Sequence, residues 1–250
     1  MAVKVKKILI SQPQPVAGRS PYYDIAQKHG CEVVFRPFIQ VESVSAREFR
    51  NQKVNILDHS AIIFTARTAI DHFFSLCEEL RVTVPETMKY FCVSESVAVY
   101  LQKHIVYRKR KIFFGATGKL EDLLTVISKH NKETYFVPLA EEHKHDLLDM
   151  LTAKKVSFSP AIMYRTVSND FGPDEALDHD MILFFSPSGI TALLKNFPKF
   201  EQGKTKIGAF GPTTAKAVEE AGLRLDLSAP TEQYPSMAMA LDFLGPGVVA

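Results

Sequence analysis

Short apolar runs that end at small or hydroxyl residues recur along this chain, and an amphipathic pattern follows each of them. Residues 181–185 form one such run, followed by Ser186-Pro187-Ser188-Gly189; residues 207–210 form another, followed by Gly211-Pro212-Thr213-Thr214. An apolar run bounded by turn residues is typical of a strand buried on both faces, and i, i+3, i+4 spacing is typical of a helix. Two successive strand–turn–helix units predict a parallel sheet.

The same rhythm predicts further α/β units earlier in the chain. Apolar runs at residues 3–10 and 31–35 flank a helical pattern that ends at Gly30, a residue suited to a helix C-cap. Four more strands are predicted at residues 61–64, 88–93, 112–114 and 134–138, each followed by a turn and a helix. Units of this kind in a row are typical of doubly wound, flavodoxin-like α/β domains.

Two extended segments predict how these units are divided into domains. Residues 155–167 read as one long strand, and residues 37–42 are also extended. We expect the two segments to pair as a hinge linker. Domain one would then be discontinuous, from 1–36 and 168–250, and domain two would be 43–154. A faint internal repeat, Phe64-Thr65-Ala66-Arg67-Thr68 over Phe184-Phe185-Ser186-Pro187-Ser188, suggests two similar domains facing each other across a cleft.

The hydroxyl-rich turns have two interpretations. Ser and Thr are preferred N-caps of any helix, and Pro favours the first turn, so plain capping explains each turn taken alone. A helix N-terminus at the carboxyl edge of a parallel sheet is also an anion site, because its free N–H groups and dipole favour negative charge. Both interpretations remain open at this point.

Composition and charge exclude several classes of protein. The chain has 250 residues with 46% hydrophobic content, and 30 Lys and Arg against 28 Asp and Glu leave a net charge of +2. The basic run Tyr107-Arg108-Lys109-Arg110-Lys111 is too short to follow a phosphate backbone, so no nucleic-acid binding is expected. The N-terminal apolar run, residues 8–10, is far shorter than a signal-peptide core or a membrane span. We expect a cytoplasmic protein that does not bind membranes.

Cysteine and histidine spacing argues against a metal site. Cys31, Cys77 and Cys92 are odd in number and lack a Cys-x-x-Cys pair, so we expect reduced thiols. His143 and His145 are two residues apart on a predicted helix and would point to different sides, which makes a poor metal pair.

Three motifs together resemble the uroporphyrinogen-III synthase family. They are Phe184-Phe185-Ser186-Pro187-Ser188-Gly189-Ile190, Ile207-Gly208-Ala209-Phe210-Gly211-Pro212-Thr213-Thr214-Ala215, and Tyr164-Arg165-Thr166-Val167. The resemblance extends over almost the whole chain. It implies two α/β domains with a hinge, and cyclisation of the linear tetrapyrrole hydroxymethylbilane to uroporphyrinogen III with loss of water and inversion of ring D. It implies no metal or organic cofactor, a monomer, and transient contact with the preceding deaminase.

The resemblance also implies a set of site residues. Tyr164 would be catalytic, donating a hydrogen bond to the departing hydroxyl. Substrate carboxylates would be bound by the turns and a basic position: Ser186, Ser188, Gly189, Thr213, Thr214, Thr65, Thr68, Ser94, Ser96 and Lys144.

Several positions depart from the family pattern, and they leave alternative functions open. Ser11-Gln12-Pro13 replaces the common Thr-Arg-Pro, with Arg19 nearby, and Leu139-Ala140-Glu141-Glu142 replaces a Gly-rich turn. Such departures are expected of a non-catalytic anion-binding or sensor module of the same fold, which is the alternative function. A two-lobed solute-binding protein is disfavoured because no export signal is present.

Overall fold

The computed structural model describes residues 5–16, 18–172 and 175–244, and its contacts divide the chain into two units. Unit 1 comprises Met1–Gln40 and Val167–Ala250, and unit 2 is Val41–Thr166. Unit 1 is therefore discontinuous, with unit 2 inserted in its sequence.

Strands and helices alternate through both units. The strands are β1 (Lys7–Ile10), β2 (Glu32–Phe35), β3 (Ile39–Ser43), β4 (Ala61–Phe64), β5 (Lys89–Cys92), β6 (Ile112–Phe114), β7 (Thr134–Ala140), β8 (Ser157–Ser168), β9 (Met181–Phe184), β10 (Lys206–Phe210) and β11 (Leu227–Ala229). The helices are α1 (Pro21–His29), α2 (Ala46–Asn51), α3 (Arg67–Leu80), α4 (Glu95–Tyr100), α5 (Leu120–Ser128), α6 (Asp146–Ala153), α7 (Pro187–Asn196), α8 (Pro212–Glu220) and α9 (Met237–Leu244). Within the described ranges, no helix combines the length and the hydropathy that crossing a membrane would require.

The sheet of unit 1 is parallel, in the order β11-β10-β9-β1-β2. Its central strands are apolar throughout because both faces are covered: Ile8 packs with α1 and α9 residues, whereas Leu9 and Ile182 pack with α7 and α8 residues. If the five strands of this sheet are numbered 1 to 5 in chain order, their spatial order from β2 to β11 is 2-1-3-4-5. The direction of strand addition therefore reverses between β1 and β9. Ligands of open α/β sheets bind outside the carboxyl ends of the strands at such a reversal.

The sheet of unit 2 has the order β3-β8-β7-β4-β5-β6, with β4 to β8 parallel. Taking β4 as first, the parallel strands read 3-2-1-4-5, and the reversal lies between β4 and β7. Doubly wound parallel sheets are thus confirmed, but the flavodoxin-like strand order is found in unit 1 and a different order in unit 2.

The two extended segments lie side by side, since β3 and β8 are neighbours in the sheet of unit 2, but β8 is more than half of a linker. Residues Ser157 to Tyr164 pair in parallel with β7, and Ala161 and Met163 are 1% and 0% exposed in the core of unit 2. The side-chain amide of Gln52 adds two hydrogen bonds to this strand. It donates to the carbonyl of Ile162 and accepts from the amide of Ile162, both at 2.8 Å. Most of the segment 155–167 is therefore an interior strand of unit 2 rather than a connection outside it. The chain crosses between the units within β3 and within β8.

Helix ends follow the local sequence in several places. Ser20 caps α1, and Gly30 ends it in the left-handed conformation with φ 63°, as predicted. Ser45 and Glu48 form a reciprocal capping box at α2. The C-terminal elements β11 and α9 are not predicted by the sequence pattern: β11 is only three residues long, and α9 has few polar positions to give an amphipathic period. Residues 245–250, interpreted as a frayed tail, lie outside the described residues.

The imidazole of His179, just before β9, is buried in unit 1. Its side chain is 9% exposed, and neither ring nitrogen has a hydrogen-bond partner among the described residues. A carboxylate oxygen of Asp178 lies 3.9 Å from Nδ1, too far for a hydrogen bond. Burial, with a smaller contribution from the charge of Lys7, lowers the pKa of His179. The folded protein therefore holds this ring neutral at pH 7.

We predict that His179 makes unit 1 less stable in weak acid. As pH falls below about 6.5, the unfolded chain binds the proton first, and the free energy of unfolding decreases by at most about 1.4 kcal/mol per pH unit. His179→Leu should reduce this loss when denaturant unfolding is compared between about pH 7.5 and 5.5. His72, whose pKa burial also lowers, should retain part of the dependence. Equal pH dependence in wild type and variant would contradict the prediction.

Candidate functional site

The turns after three strands of unit 1 lie along one edge of its sheet. Ile10 is level with Leu183, Phe184 with Ala209, and Phe210 with Ala229. The segments that follow β1, β9 and β10 therefore start at the same carboxyl edge, beside the reversal between β1 and β9. This edge carries the two hydroxyl turns that the sequence singled out.

Polar groups of the turn after β9 already form hydrogen bonds within the protein. Ser186 is the N-cap of α7, and its hydroxyl accepts a hydrogen bond from the amide of Gly189 at 3.3 Å. A Cβ at Gly189 would lie 3.1 Å from Cδ1 of Phe184, so glycine allows α7 to approach the strand. Gly189, a predicted substrate contact, is buried, and its amide already donates to Ser186. The Ser186 hydroxyl proton and the half-buried Ser188 remain available at this turn.

The turn after β10 is open by comparison. Its N-cap, Gly211, has φ 91°, which favours glycine, and with no side chain it leaves α8 without a side-chain cap. The first intrahelical bond runs from Ala215 to the carbonyl of Gly211, so the amides of Thr213 and Thr214 precede it. Thr213 is exposed, but Thr214 as a whole residue is only 1% exposed. The side chain of Thr214 is therefore buried, whereas Thr213 can offer its hydroxyl at this turn.

A second polar edge lies in unit 2. Phe64, Cys92 and Phe114 are level in β4, β5 and β6, so the turns after these strands share an edge. Helix α3 begins after Ala66 without a side-chain cap, and being 14 residues long it presents a full dipole. The predicted contacts at these turns remain accessible to different degrees: Thr68 and Ser96 are exposed, while Thr65 and Ser94 are half-buried.

The hydroxyls of the turn after β5 are near each other: Oγ of Ser94 and Oγ of Ser96 are 3.1 Å apart. Only one hydroxyl of this pair can donate to the other, so the pair retains one further proton to donate. Helix α4, which they begin, also lacks a side-chain cap bond.

The turn after β7 places Lys144 across the reversal from the β4 turn. Lys144 is exposed between β7 and α6. The prediction that His143 and His145 lie on a helix is wrong, because α6 begins at Asp146. Their rings lie 5.1 Å apart. Nδ1 of His143 is 2.7 Å from the carbonyl oxygen of Ala140. Among the residues the structure describes, no group of three His, Cys, Asp or Glu side chains is arranged to hold a metal.

Tyr164 lies at the same edge, since it pairs with Ala140 at the end of β7. Its ring stacks on His72 of α3 with centroids 5.0 Å apart and planes 14° from parallel. Nδ1 of His72 is 2.6 Å from Oγ of Ser43. Burial raises the pKa of Tyr164 and lowers the pKa of His72, so both rings are neutral at pH 7. No described residue forms a hydrogen bond with the Tyr164 hydroxyl, which leaves it free to donate to a ligand.

Sequence reasoning missed two side chains at this edge. His72 follows Thr68 by four residues, which places both on one face of α3, and this spacing could have indicated it. Arg67 is exposed in the first turn of α3, with its guanidinium 5.5 Å over the ring of Tyr100. A cation at a helix N-terminus opposes the dipole, so its presence in this turn was a usable signal for anion binding.

The fold and these edges define a class: a two-domain α/β protein with one domain inserted in the other and uncapped helix N-termini at the carboxyl edge of each sheet. The uroporphyrinogen-III synthase HemD family model matches residues 21–238. The chain therefore belongs to the uroporphyrinogen-III synthase family.

Solved structures share this fold at low sequence identity. The Helicobacter pylori uroporphyrinogen-III synthetase is 19% identical with a TM-score of 0.58, the match covering 95% of this chain and 97% of that one. A mutant uroporphyrinogen III synthase from Thermus thermophilus is 17% identical with a TM-score of 0.51, covering 96% and 98%. No curated protein sequence matches the chain.

We predict that Ser186 acts mainly as a cap and Ser188 does not. Ser186→Ala should lower the free energy of unfolding by about 1 kcal/mol, because the Gly189 amide loses its side-chain partner. Ser188→Ala, two residues away, is the matched control and should change stability by less than about 0.5 kcal/mol. Denaturant unfolding of both variants measures the difference. Equal stability losses would show that the Ser186 hydroxyl is not the structural cap of α7.

Proposed function

We propose that this protein is a uroporphyrinogen-III synthase that cyclises hydroxymethylbilane, with loss of water and inversion of ring D, in tetrapyrrole biosynthesis. The observation that carries the proposal is the uncapped start of α8, beside the Ser186 turn and inside the region that matches the family model. Further support comes from the free hydroxyl of Tyr164 at the edge of unit 2.

The proposed substrate is a flexible chain with eight carboxylates, and the protein has a net charge of only +2. Recognition would therefore depend on helix N-termini and hydroxyls more than on arginines. Each N-terminus contributes about 0.3 to 2 kcal/mol toward a bound anion, depending on its burial. Bonds from neutral donors to a carboxylate are also stronger than neutral pairs. We propose that Thr213, Ser188 and the amides of Thr213 and Thr214 bind carboxylates in unit 1.

In unit 2 we propose that Thr65, Thr68, Ser94, Ser96 and Lys144 bind further carboxylates. The open start of α3 supports this for the β4 turn, and the charge of Lys144 supports it across the strand reversal. Ser186 would take part only through its hydroxyl proton, since its oxygen already caps α7.

Catalysis would then depend mainly on substrate geometry. Holding the two ends of the linear tetrapyrrole together supplies the proximity contribution to the barrier, before any acid or base acts. Tyr164 would donate a hydrogen bond to the hydroxyl that leaves as water. Since burial raises its pKa, the phenol stays protonated at neutral pH and acts as a donor. Its contribution would be orientation and partial proton donation, about 10² or less in rate.

One observation favours the alternative, a non-catalytic tetrapyrrole-binding or sensor module. Glu141 and Glu142 are both exposed in the turn after β7, beside Lys144. Two carboxylates there would repel a carboxylate ligand and weaken binding at unit 2. A module that binds a tetrapyrrole through unit 1 without chemistry would have this property.

We predict that the purified protein converts hydroxymethylbilane mainly to the type III isomer. Spontaneous closure gives type I, so the ratio of the two uroporphyrinogens measures the activity. Thr213→Val should weaken product binding by about 1 to 2 kcal/mol through loss of a hydrogen bond to a charged group. Thr125→Val is the matched control, because Thr125 is exposed on α5 and its hydroxyl donates to its own helix at Glu121.

A product mixture with only type I would contradict catalysis and support the binding module, provided that product still binds. Unchanged product binding in Thr213→Val would instead remove the α8 turn from the site.

We predict that Tyr164→Phe lowers the cyclisation rate, by up to about 10², while type III remains the product. The change removes the hydroxyl and keeps the ring stacked on His72. Tyr107→Phe, at an exposed tyrosine in unit 2, controls for loss of a phenol elsewhere. Single-turnover rates of the three proteins measure the effect. A Tyr164→Phe rate within about twofold of wild type would exclude the phenol from the mechanism.

A further inference from the structure

A cavity of about 450 Å³ lies in unit 2, away from the polar edge described above. It is bordered by the second half of α3, by residues 82–88 before β5, and by residues 103–112 before and into β6. It therefore lies at the amino ends of β5 and β6, at the opposite edge from the hydroxyl turns. Its volume falls in the usual range of small-molecule sites.

Part of the cavity lining is apolar and includes flat ring surfaces. Met88 and Ile112 are 1% and 4% exposed and line it, together with Phe74. The rings of Phe74 and His104 stack with centroids 4.7 Å apart and planes 6° from parallel, and both line the cavity. Flat ring surfaces of this kind favour a flat aromatic ligand, which can stack or pack edge-on against them.

One hydroxyl in the cavity lining is available to a ligand. Tyr90 lines the cavity and is 5% exposed, and its hydroxyl forms no hydrogen bond with any described residue. The ring itself is fixed, stacked on Phe64 at 6.3 Å and 9°. A phenol hydroxyl is a hydrogen-bond donor, so this one can donate to an acceptor placed in the cavity. Burial raises the pKa of Tyr90 to about 12, which keeps the phenol a donor.

Three basic side chains line the cavity, and two of them belong to the basic run of the sequence. Lys103, Arg108 and Lys111 line the cavity with two carboxylates, Glu78 and Glu86. Three cations against two anions leave one positive charge. Arg108 pairs with Glu86 at 2.9 Å. Lys111 has no ion-pair partner among the described residues, so its ammonium is available to a ligand.

Lys111 and Tyr90 are also neighbours in the sheet. The Tyr90 amide donates to the carbonyl of Lys111 at 2.8 Å, and Tyr90 is paired with Ile112. A donor hydroxyl and a free cation thus border the same apolar space. We propose that this cavity binds a small, flat aromatic carboxylate, with its rings against Phe74 and His104 and its carboxylate toward Lys111 and Tyr90.

The proposal is tested by titrating the full chain with 2-naphthoate, and with the neutral analogue 2-naphthylmethanol, in a calorimeter. Naphthoate should bind at least about tenfold more tightly than the alcohol, since it alone gains the charged contact. Lys111→Met should remove most of that preference. Lys109→Met, in the same basic run but outside the lining, is the matched control and should retain it.

Two further variants locate the binding. Tyr90→Phe should weaken naphthoate binding about three- to tenfold through loss of the hydroxyl donor. Val84→Trp should fill the cavity and abolish binding of both compounds, with thermal unfolding used to verify that the variant is folded. Thr213→Val, at the proposed carboxylate site of unit 1, should leave naphthoate binding unchanged.

Four results would overturn the proposal. Binding that survives in folded Val84→Trp would place the ligand elsewhere, and loss in Thr213→Val would assign it to the carboxylate edge of unit 1. Equal affinity for naphthoate and the alcohol would show an apolar cavity without anion recognition. No heat of binding at millimolar naphthoate would exclude the site.

Discussion

Burial of parallel strands on both faces is the constraint on which the rest of this structure depends. The central strands β1, β4 and β9 are almost entirely apolar and nearly unexposed, so helices must cover both sides of each sheet. Every strand in a parallel sheet ends at the same edge, and every following helix starts there. Helix N-termini are thereby concentrated at one edge of each unit, whatever the turn residues are. The turn sequences then decide which of these termini remain open.

The two turns of unit 1 show how that decision is made. Both follow buried strands, both contain proline at the first helical position, and both are rich in hydroxyls. The Ser186 hydroxyl accepts a hydrogen bond from the first turn of α7, whereas Gly211 has no side chain with which to cap α8. Hydroxyl content is therefore a poor guide to which helix N-termini lack a side-chain cap. The informative difference is between an N-cap that accepts a hydrogen bond and one that cannot.

Local pattern was sufficient for much of the fold, because the signals were local. Residues 61–64 and 112–114 are strands with the predicted bounds, and Gly30 ends α1 as its sequence indicates. The predictions and the structure differ where pairing between distant segments decides the conformation. Residues 155–167 are predicted as half of a linker, but β7 and Gln52 make residues 157–164 an interior strand. Residues 227–229 form a strand only because β10 lies beside them.

The candidate site divides in the same way. The turns and their hydroxyls follow from strand–turn–helix spacing, and the structure places them along the expected edges. What the spacing could not give is which groups are already occupied: the amide of Gly189, the buried side chain of Thr214, and the ring of His72 beneath Tyr164. Those depend on distances between segments far apart in sequence. The cavity beside Tyr90 depends on them too, although its basic opening was visible as a charge run.

The pairing of β3 with β8 has a consequence for how such a chain can be assembled. The segment that enters unit 2 and the segment that leaves it are adjacent strands, joined where the amide of Val44 donates to the carbonyl of Met163 at 2.9 Å. Once unit 2 has folded, its two ends are side by side, and the long insertion acts in unit 1 as a short covalent loop. The folding of unit 2 then offsets the entropy cost of closing a loop of that length, so this cost does not fall on the folding of unit 1. An insertion of this kind can be gained, exchanged or excised as one module without changing the strand order of its host.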